Sequence, residues 1–274
     1  MKAKRFLLFL LLVALILTGL LVDSRYRLVT TQYTLHSELL PDSFRGYSIV
    51  QLSDLHGASF GTDNSSLVDT VRALSPDLIA LTGDFIENEE QIPNAQSLIR
   101  QLTDIAPVYY VSGNHDWASG SISALRFAVE ESGATYLSNE YMPITHNGDS
   151  ILLAGVEDPN GYAEQITPDA LIGTAAANYP NVFTVLLAHR NDFVSKYPVL
   201  PCDLILTGHG HGGVIRLPFI GGLFGTDLQF FPKYDSGVFS ADRYNMVVSR
   251  GLGDAPLLPR FLNNPEIVQI ILEK

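Results

Sequence analysis

Cys202-Asp203-Leu204-Ile205-Leu206-Thr207-Gly208-His209-Gly210-His211-Gly212-Gly213 changes character halfway along. Leu204 to Leu206 is a short apolar run, with the length and composition of a strand buried on both faces. Glycines and two histidines follow at once. In α/β proteins the loop at a strand's end is where chemistry is usually placed. Glycine removes bulk and lets the backbone turn tightly, so two imidazoles one residue apart can converge on one point. Imidazole is the commonest metal ligand. A solvated glycine-rich turn that happens to carry histidine is the competing reading. Gly208, Gly210 and Gly213 also fit G-x-G-x-x-G, but a dinucleotide site needs a helix to start there, and Val214-Ile215-Arg216-Leu217-Pro218 does not read as one.

The same arrangement recurs upstream. Tyr47 to Leu52 reads as a strand and runs into Ser53-Asp54-Leu55-His56-Gly57, where Asp54 and His56 share a side in an extended segment. Asp77 to Thr82 ends in Gly83-Asp84. Pro107 to Val111 ends in Ser112-Gly113-Asn114-His115-Asp116. Phe183 to Ala188 ends in His189-Arg190. Of the 7 histidines, only His36 and His146 lie outside these clusters. One polar cluster at a strand end is commonplace; five at equivalent points place distant residues at one rim of a sheet. The remainder reads as scaffold. Thr62–Leu74, Asn94–Ile105, Ser121–Glu131 and a segment from Thr167 toward Ala177 have helical signals, and Leu28–Leu35, Met246–Ser249 and Ile267–Leu272 read as strands. Asn147-Gly148-Asp149 joins Met142–His146 to Ser150–Ala154 as a hairpin, with His146 a solvated strand-end residue. These patterns give an α/β chain with hairpins.

At 274 residues the chain can bury a large core, and its single cysteine, Cys202, permits no internal disulfide and reads as a small buried residue. A formal net charge of −12 argues against a nucleic-acid partner and makes an anionic substrate odd, unless bound cations reverse the sign locally. Asp54 and Asp84 are the only anionic groups in the expected ligand set, so two divalent ions there keep a net positive charge, lower the pKa of water and attract an anion. Asp84, isolated and central in order, is the natural bridging carboxylate. The mixed N/O set suits Mn, Fe or Zn better than Ca or Mg.

Lys2, Lys4 and Arg5 precede an uncharged run, Phe6 to Val22, at the short end of the ~17–25 residues that span a bilayer. No Ala-x-Ala-like site closes the run, so a retained anchor is expected over a cleaved signal. The division expected is 1–5 cytoplasmic, 6–22 transmembrane and 23–274 catalytic. The basic flank places the last part outside the cytoplasm, although Arg25 and Arg27 beyond the span weaken that bias.

The set Asp54-x-His56, Gly83-Asp84, Gly113-Asn114-His115-Asp116, His189 and Gly208-His209-Gly210-His211 resembles the calcineurin-like metallophosphoesterases over about residues 47–271. Ser249-Arg250-Gly251-Leu252-Gly253, Arg260-Phe261, Asn264-Pro265-Glu266 and Arg216-Leu217-Pro218 resemble its membrane-associated bacterial subgroup. The resemblance implies two mixed β-sheets packed face to face with helices outside. It implies Asp54, His56, Asp84 and His211 on one metal, and Asp84, Asn114, His189 and His209 on the other. It further implies in-line attack on phosphorus by a hydroxide between the metals, with His115 stabilising the transition state or protonating the leaving oxygen. Asp116 would orient His115. Glu87, three residues after Asp84, is not taken as a ligand. The substrate class implied is a phosphodiester or pyrophosphate, and the subgroup points to lipid-linked compounds such as an acylated nucleotide-sugar diphosphate of the UDP-diacylglucosamine type. A phosphomonoesterase or protein phosphatase needs the same centre, and a non-catalytic metal-binding membrane protein would keep the ligands without needing His115. Gly57-Ala58-Ser59-Phe60-Gly61 matches G-x-S-x-G of serine hydrolases, but Asp54 and His56 stand between that serine and its strand.

Overall fold

The continuous apolar runs become the inner strands of two six-stranded sheets. The computed structural model describes residues 2–162, 164–226, 229–254 and 259–274. In chain order the elements are α1 (Lys2–Tyr26), β1 (Val29–His36), β2 (Ser48–Leu52), α2 (Ser65–Ala73), β3 (Leu78–Thr82), α3 (Ile92–Thr103), β4 (Val108–Val111), α4 (Asn114–Ala118), α5 (Ile122–Glu131) and β5 (Thr135–Tyr136). There follow β6 (Glu140–His146), β7 (Asp149–Gly155), α6 (Pro168–Asn178), β8 (Thr184–Leu187), α7 (Phe193–Lys196), β9 (Leu204–Thr207), the short pair β10 (Arg216–Leu217) and β11 (Gly221–Gly222), β12 (Gly237–Ser240), β13 (Asn245–Val248) and β14 (Glu266–Glu273).

The first sheet has the order β1-β14-β2-β3-β4-β5 and the second β12-β13-β9-β8-β7-β6. Both are mixed. The parallel block β2-β3-β4-β5 is continued antiparallel by β14, and the parallel block β13-β9-β8-β7 is flanked by antiparallel β12 and β6. The strands of each parallel block point the same way, so their C-terminal ends form one rim.

Period two in the strands sorts side chains between two faces. Ile49, Ala80, Tyr109, Val111, Val268 and Ile270 of the first sheet meet Leu153, Val185, Leu187, Leu204, Leu206 and Val247 of the second. The outer face of the first sheet, including Val50, Leu52, Ile79 and Leu81, packs on Leu67 and Val71 of α2, Leu98 and Leu102 of α3, and Leu125 and Val129 of α5. The outer face of the second, including Ala154, Leu186, Ile205 and Met246, packs on Leu171 and Ile172 of α6 and Phe193 of α7. Cys202 is buried in that layer.

Three local details differ from expectation or decide between readings. The helix expected from Thr62 starts at Ser65, because Asp63 and Asn64 adopt left-handed backbone (φ 51° and 59°) in a preceding 3-10 turn. His146 is half-buried rather than solvated: its ring lies 5.4 Å from that of Phe44 and 5.2 Å from that of Tyr47. After Gly213 the chain forms β10 rather than a helix, which removes the dinucleotide reading.

α1 is a 25-residue helix whose most apolar stretch has mean hydropathy 2.8 and buries nothing against the protein. Among the described residues it is tied down at its end. Asn264 Nδ2 donates to the Asp23 carbonyl (2.8 Å), and Arg25 pairs with Asp254 (3.3 Å).

Leu206 is fully buried between the sheets, whereas Phe127 on α5 is 64% exposed. Leu206→Ala is expected to cost about 2–5 kcal/mol, and Phe127→Ala to stay within about 0.5 kcal/mol, in urea unfolding of the detergent-solubilised chain.

Candidate metal centre

The C-terminal rims of the two sheets are clamped together by one buried side chain. Gln51 Nε2, on β2, donates to Thr82 Oγ1 at the end of β3 (3.0 Å) and to the Thr207 carbonyl at the end of β9 (2.8 Å). Just past these ends the backbone reverses sharply. Asp54, His56, Asp84, His209 and His211 all have positive φ, between 46° and 65°. For residues with a Cβ that region costs roughly 1–2 kcal/mol each. The cost falls on residues the sequence picked out, and it turns their side chains toward one point. Two glycines make room: a Cβ on Gly113 would collide with the Asp84 carboxylate, and one on Gly208 with Ser53 and Asp54.

Two nests of donors result. Asp54 Oδ1 lies 3.5 Å from His211 Nε2 and 4.0 Å from His56 Nε2, and the two imidazole nitrogens are 3.0 Å apart. In the other nest, His189 Nε2 lies 3.0 Å from Asp84 Oδ2 and 3.1 Å from Asn114 Oδ1, and His209 offers a nitrogen within 4.8 Å of both Asp84 and His189. Asp84 Oδ2 is also 3.8 Å from His56 Nε2, so this one carboxylate stands between the nests. All seven residues expected as ligands are thus brought together.

The donors fit divalent cations. Burying two carboxylates among four imidazoles has no apolar rationale. Burial raises the Asp54 pKa, and it presses His209 and His211 well below the ordinary imidazole range, leaving neutral rings with lone pairs to give. Burial would raise Asp84 too, but His189, His56 and His115 outweigh it and hold that carboxyl below its usual value. Orientation is fixed from behind. His189 Nδ1 donates to the Thr82 carbonyl (2.8 Å), which aims Nε2 into the nest. The His209 amide donates to Asp54 Oδ1 (3.0 Å), and the His115 amide to Asp84 Oδ1 (2.7 Å). Arg260, 1% exposed, donates through Nε to the Gly253 carbonyl and through Nη2 to that of Arg250 (both 2.7 Å), and Nη2 lies 3.4 Å from His211 Nδ1.

His115 lies on the open side of the centre, its side chain 28% exposed. Asp116 does not orient it. The Asp116 carboxylate is buried and accepts from the amides of Asp84 (2.9 Å), Phe85 (2.9 Å), Ile86 (3.2 Å) and Gly113 (2.9 Å) and from the Tyr110 hydroxyl (2.7 Å). It builds the loop that carries Asp84. The residue facing His115 is Glu87, whose Oε2 is 2.8 Å from Nδ1, while its Oε1 contacts His56 Nδ1. The two imidazoles bring the Glu87 pKa down to about 2 against its burial, and the Glu87 hydrogen bond raises that of His115. Motif reading missed Gln51 altogether; it marked Glu87 three residues past Asp84 and Arg260 in Arg260-Phe261, but gave neither a place at the centre. Ser59, the serine of G-x-S-x-G, is exposed and bonded to Asn94 Oδ1 (3.2 Å), away from this constellation.

Asp116→Asn swaps an oxygen that accepts from amides for an NH₂, stranding buried donors at about 1–3 kcal/mol each. Denaturant unfolding is expected to show a loss of about 2–4 kcal/mol, whereas Glu87→Gln, at a half-buried site, costs under about 1 kcal/mol.

Residues 47–213 match the family described as Calcineurin-like phosphoesterase. The chain is 32% identical over 250 residues to the uncharacterized metallophosphoesterase YkuE of Bacillus subtilis, covering 89% of this chain and 85% of that protein. It is 28% identical over 239 residues to the phosphodiesterase YaeI of Escherichia coli, covering 84% of each. A zebrafish (Danio rerio) transmembrane protein with metallophosphoesterase domain is 25% identical over 251 residues, which span 86% of this chain and 55% of that one. On the matched family segment and the extent of likeness to YkuE, this chain belongs to the calcineurin-like phosphoesterases, metal-dependent hydrolases of phosphate esters built around a dinuclear divalent centre.

Proposed function

We propose that this chain is a membrane-anchored phosphodiesterase or diphosphatase. Asp54, His56, Asp84 and His211 hold one divalent ion, and Asp84, Asn114, His189 and His209 hold the other. The observation that carries the reading is the position of Asp84 Oδ2, 3.0 Å from one nest and 3.8 Å from the other. Manganese, iron or zinc suits the mixed N/O donors. When bound, the ions polarise the phosphoryl oxygens and acidify water. The chain's own part is positioning. Asp54 and Asp84 are its only anionic ligands, so the site stays cationic toward a phosphate. His115 stands at the open side with its charged form favoured by Glu87, and donates a proton to the leaving oxygen. The likeness to a protein named a phosphodiesterase favours the diester over the monoester.

Residues 6–22 form the anchor in this reading, with 1–5 on the cytoplasmic side and 23–274 as the catalytic part outside. The exposed apolar α1, the Lys2, Lys4 and Arg5 flank, and the likeness to a protein named transmembrane support it. A centre held near a bilayer favours lipid-linked diphosphates, an acylated nucleotide-sugar among them. The anchor reading predicts that the full chain stays with membranes through an alkaline carbonate wash; release into the supernatant counts against it.

The chemistry is tested on full chain stripped with chelator, reloaded with Mn and offered bis-p-nitrophenyl phosphate and the corresponding monoester. Diester cleavage that needs metal is expected. His115→Ala lowers kcat by about 10²–10⁴-fold while retaining two metals per chain. Asp84→Asn loses metal and activity together. Monoester preference turns the reading to a phosphatase, and two bound metals with neither ester cleaved overturns it.

A further inference from the structure

Arg190 follows the ligand His189 directly, and its side chain, 25% exposed, borders the metal centre. A guanidinium donates from a rigid planar fork. Nε and Nη2 are spent on Asp158 (2.6 and 3.1 Å). Asp158 is itself fixed. It is buried, its Oδ1 accepts from the Asn160 amide (2.9 Å), and its own amide donates to Ser112 Oγ (3.3 Å). It lies just past the end of β7, which runs parallel to β8, so a sixth strand end of the same rim takes part. The two-pronged pair offsets the guanidinium charge and sets its plane, which turns Nη1 to His209 Nε2 (3.1 Å).

Nη1 cannot keep that acceptor once His209 serves as a ligand. A neutral imidazole has a lone pair on one nitrogen and a hydrogen on the other. If Nε2 is the ligating atom, its lone pair is used. If Nδ1 ligates, Nε2 carries the hydrogen and meets Nη1 donor against donor. Whichever nitrogen ligates, an N–H of Arg190 is left at the centre without its acceptor, on a side chain that Asp158 keeps from swinging away. Arg260, the guanidinium beside the other histidine of the glycine-rich loop, differs: it is shut in behind His211, 1% exposed, with Nε and Nη2 donating to backbone carbonyls.

We infer that Arg190 is a catalytic residue, held by Asp158 so that the N–H released when His209 becomes a ligand donates to a phosphoryl oxygen of the substrate. This rests on the phosphoesterase reading above and deepens it. Because Asp158 offsets the charge of Arg190, what the guanidinium supplies is a donor already aimed where negative charge gathers on the phosphoryl group. Asp158 is a positioning residue: it acts on substrate through Arg190. The arrangement also links the two binding events. In the free chain the Arg190–His209 hydrogen bond occupies a ligand of the second nest and must break before His209 can serve, so Arg190 opposes metal entry and favours phosphate afterwards. A residue that merely propped His209 in place would do the reverse and strengthen metal binding.

The test uses the full chain and reads three quantities: Mn bound per chain with its Kd, the Kd of inorganic phosphate for the Mn-saturated protein by calorimetry, and kcat for bis-p-nitrophenyl phosphate. Arg190→Ala is expected to hold as much Mn as the parent, with a Kd for Mn equal to the parent's or lower. The same variant binds phosphate about tenfold or more weakly and loses about 10–10²-fold in kcat. Arg190→Lys keeps the charge without the fork and recovers only part of the phosphate affinity. Added guanidinium ion stimulates diester cleavage by Arg190→Ala, but neither by the parent nor by Arg126→Ala, which removes an exposed arginine of α5 paired with Glu130. Weaker Mn binding in Arg190→Ala overturns the proposal in favour of a prop for His209. Phosphate affinity in Mn-saturated Arg190→Ala within about twofold of the parent's overturns it as well, since a lost charged hydrogen bond costs more than that. Absence of diester cleavage in the parent is a separate failure, of the phosphoesterase reading; the Mn and phosphate titrations then still decide the role of Arg190.

Discussion

Asp84 is a carboxylate with 1% exposure at the end of a strand that is buried throughout, and the surrounding structure is arranged to keep it ionised there. An isolated charge at such depth would simply take up a proton. Imidazoles on either side of it and the His115 amide supply the compensation. Each of these partners comes from a different strand end. The two sheets must therefore meet with their rims aligned, which is what Gln51 enforces from β2 by holding the ends of β3 and β9. Gly113 lets the loop after β4 approach the carboxylate closely, and Asp116 ties that loop to the one after β3. Packing, backbone strain and electrostatics thus converge on a single oxygen pair.

Much of this was legible in the sequence, for a physical reason. Strands of a parallel block are buried on both faces, so they read as unbroken apolar runs, and a polar cluster at the end of such a run is conspicuous. Leu204 to Thr207 followed by Gly208-His209-Gly210-His211 is the clearest case, and the seven residues expected at the centre do converge. The pairing order was not legible from pattern. Nothing in Glu266–Glu273 says that this last strand inserts between β1 and β2.

The role given to Asp116 failed for an equally physical reason. His115 and Asp116 are neighbours in sequence but lie on a helix, α4, where adjacent residues point about 100° apart. One side chain faces the open centre and the other the core. Glu87 reaches His115 because the turn after β3, itself held by Asp116, folds residues 85–87 back over the site. Gln51 acts through a contact 156 residues away in sequence, a distance at which a local pattern carries no signal, and the motif that includes Arg260 says nothing of its contact with His211, 49 residues away.

The junction between α1 and β1 bears on how this protein meets its substrate. The helix ends at Tyr26 and the strand begins at Val29, and Asn264 holds Asp23 against the folded part. Two intervening residues extend at most about 7 Å. With α1 in a bilayer, the catalytic part has no leash on which to roam. Under the proposed anchoring it would drift sideways with its helix, at one height and one tilt, and would meet a lipid-linked substrate by lateral diffusion in two dimensions. For the lipid-linked substrate proposed above, turnover would then follow its surface density rather than its bulk concentration, and a long inserted spacer between Tyr26 and Val29 would convert a surface-bound search into a volumetric one.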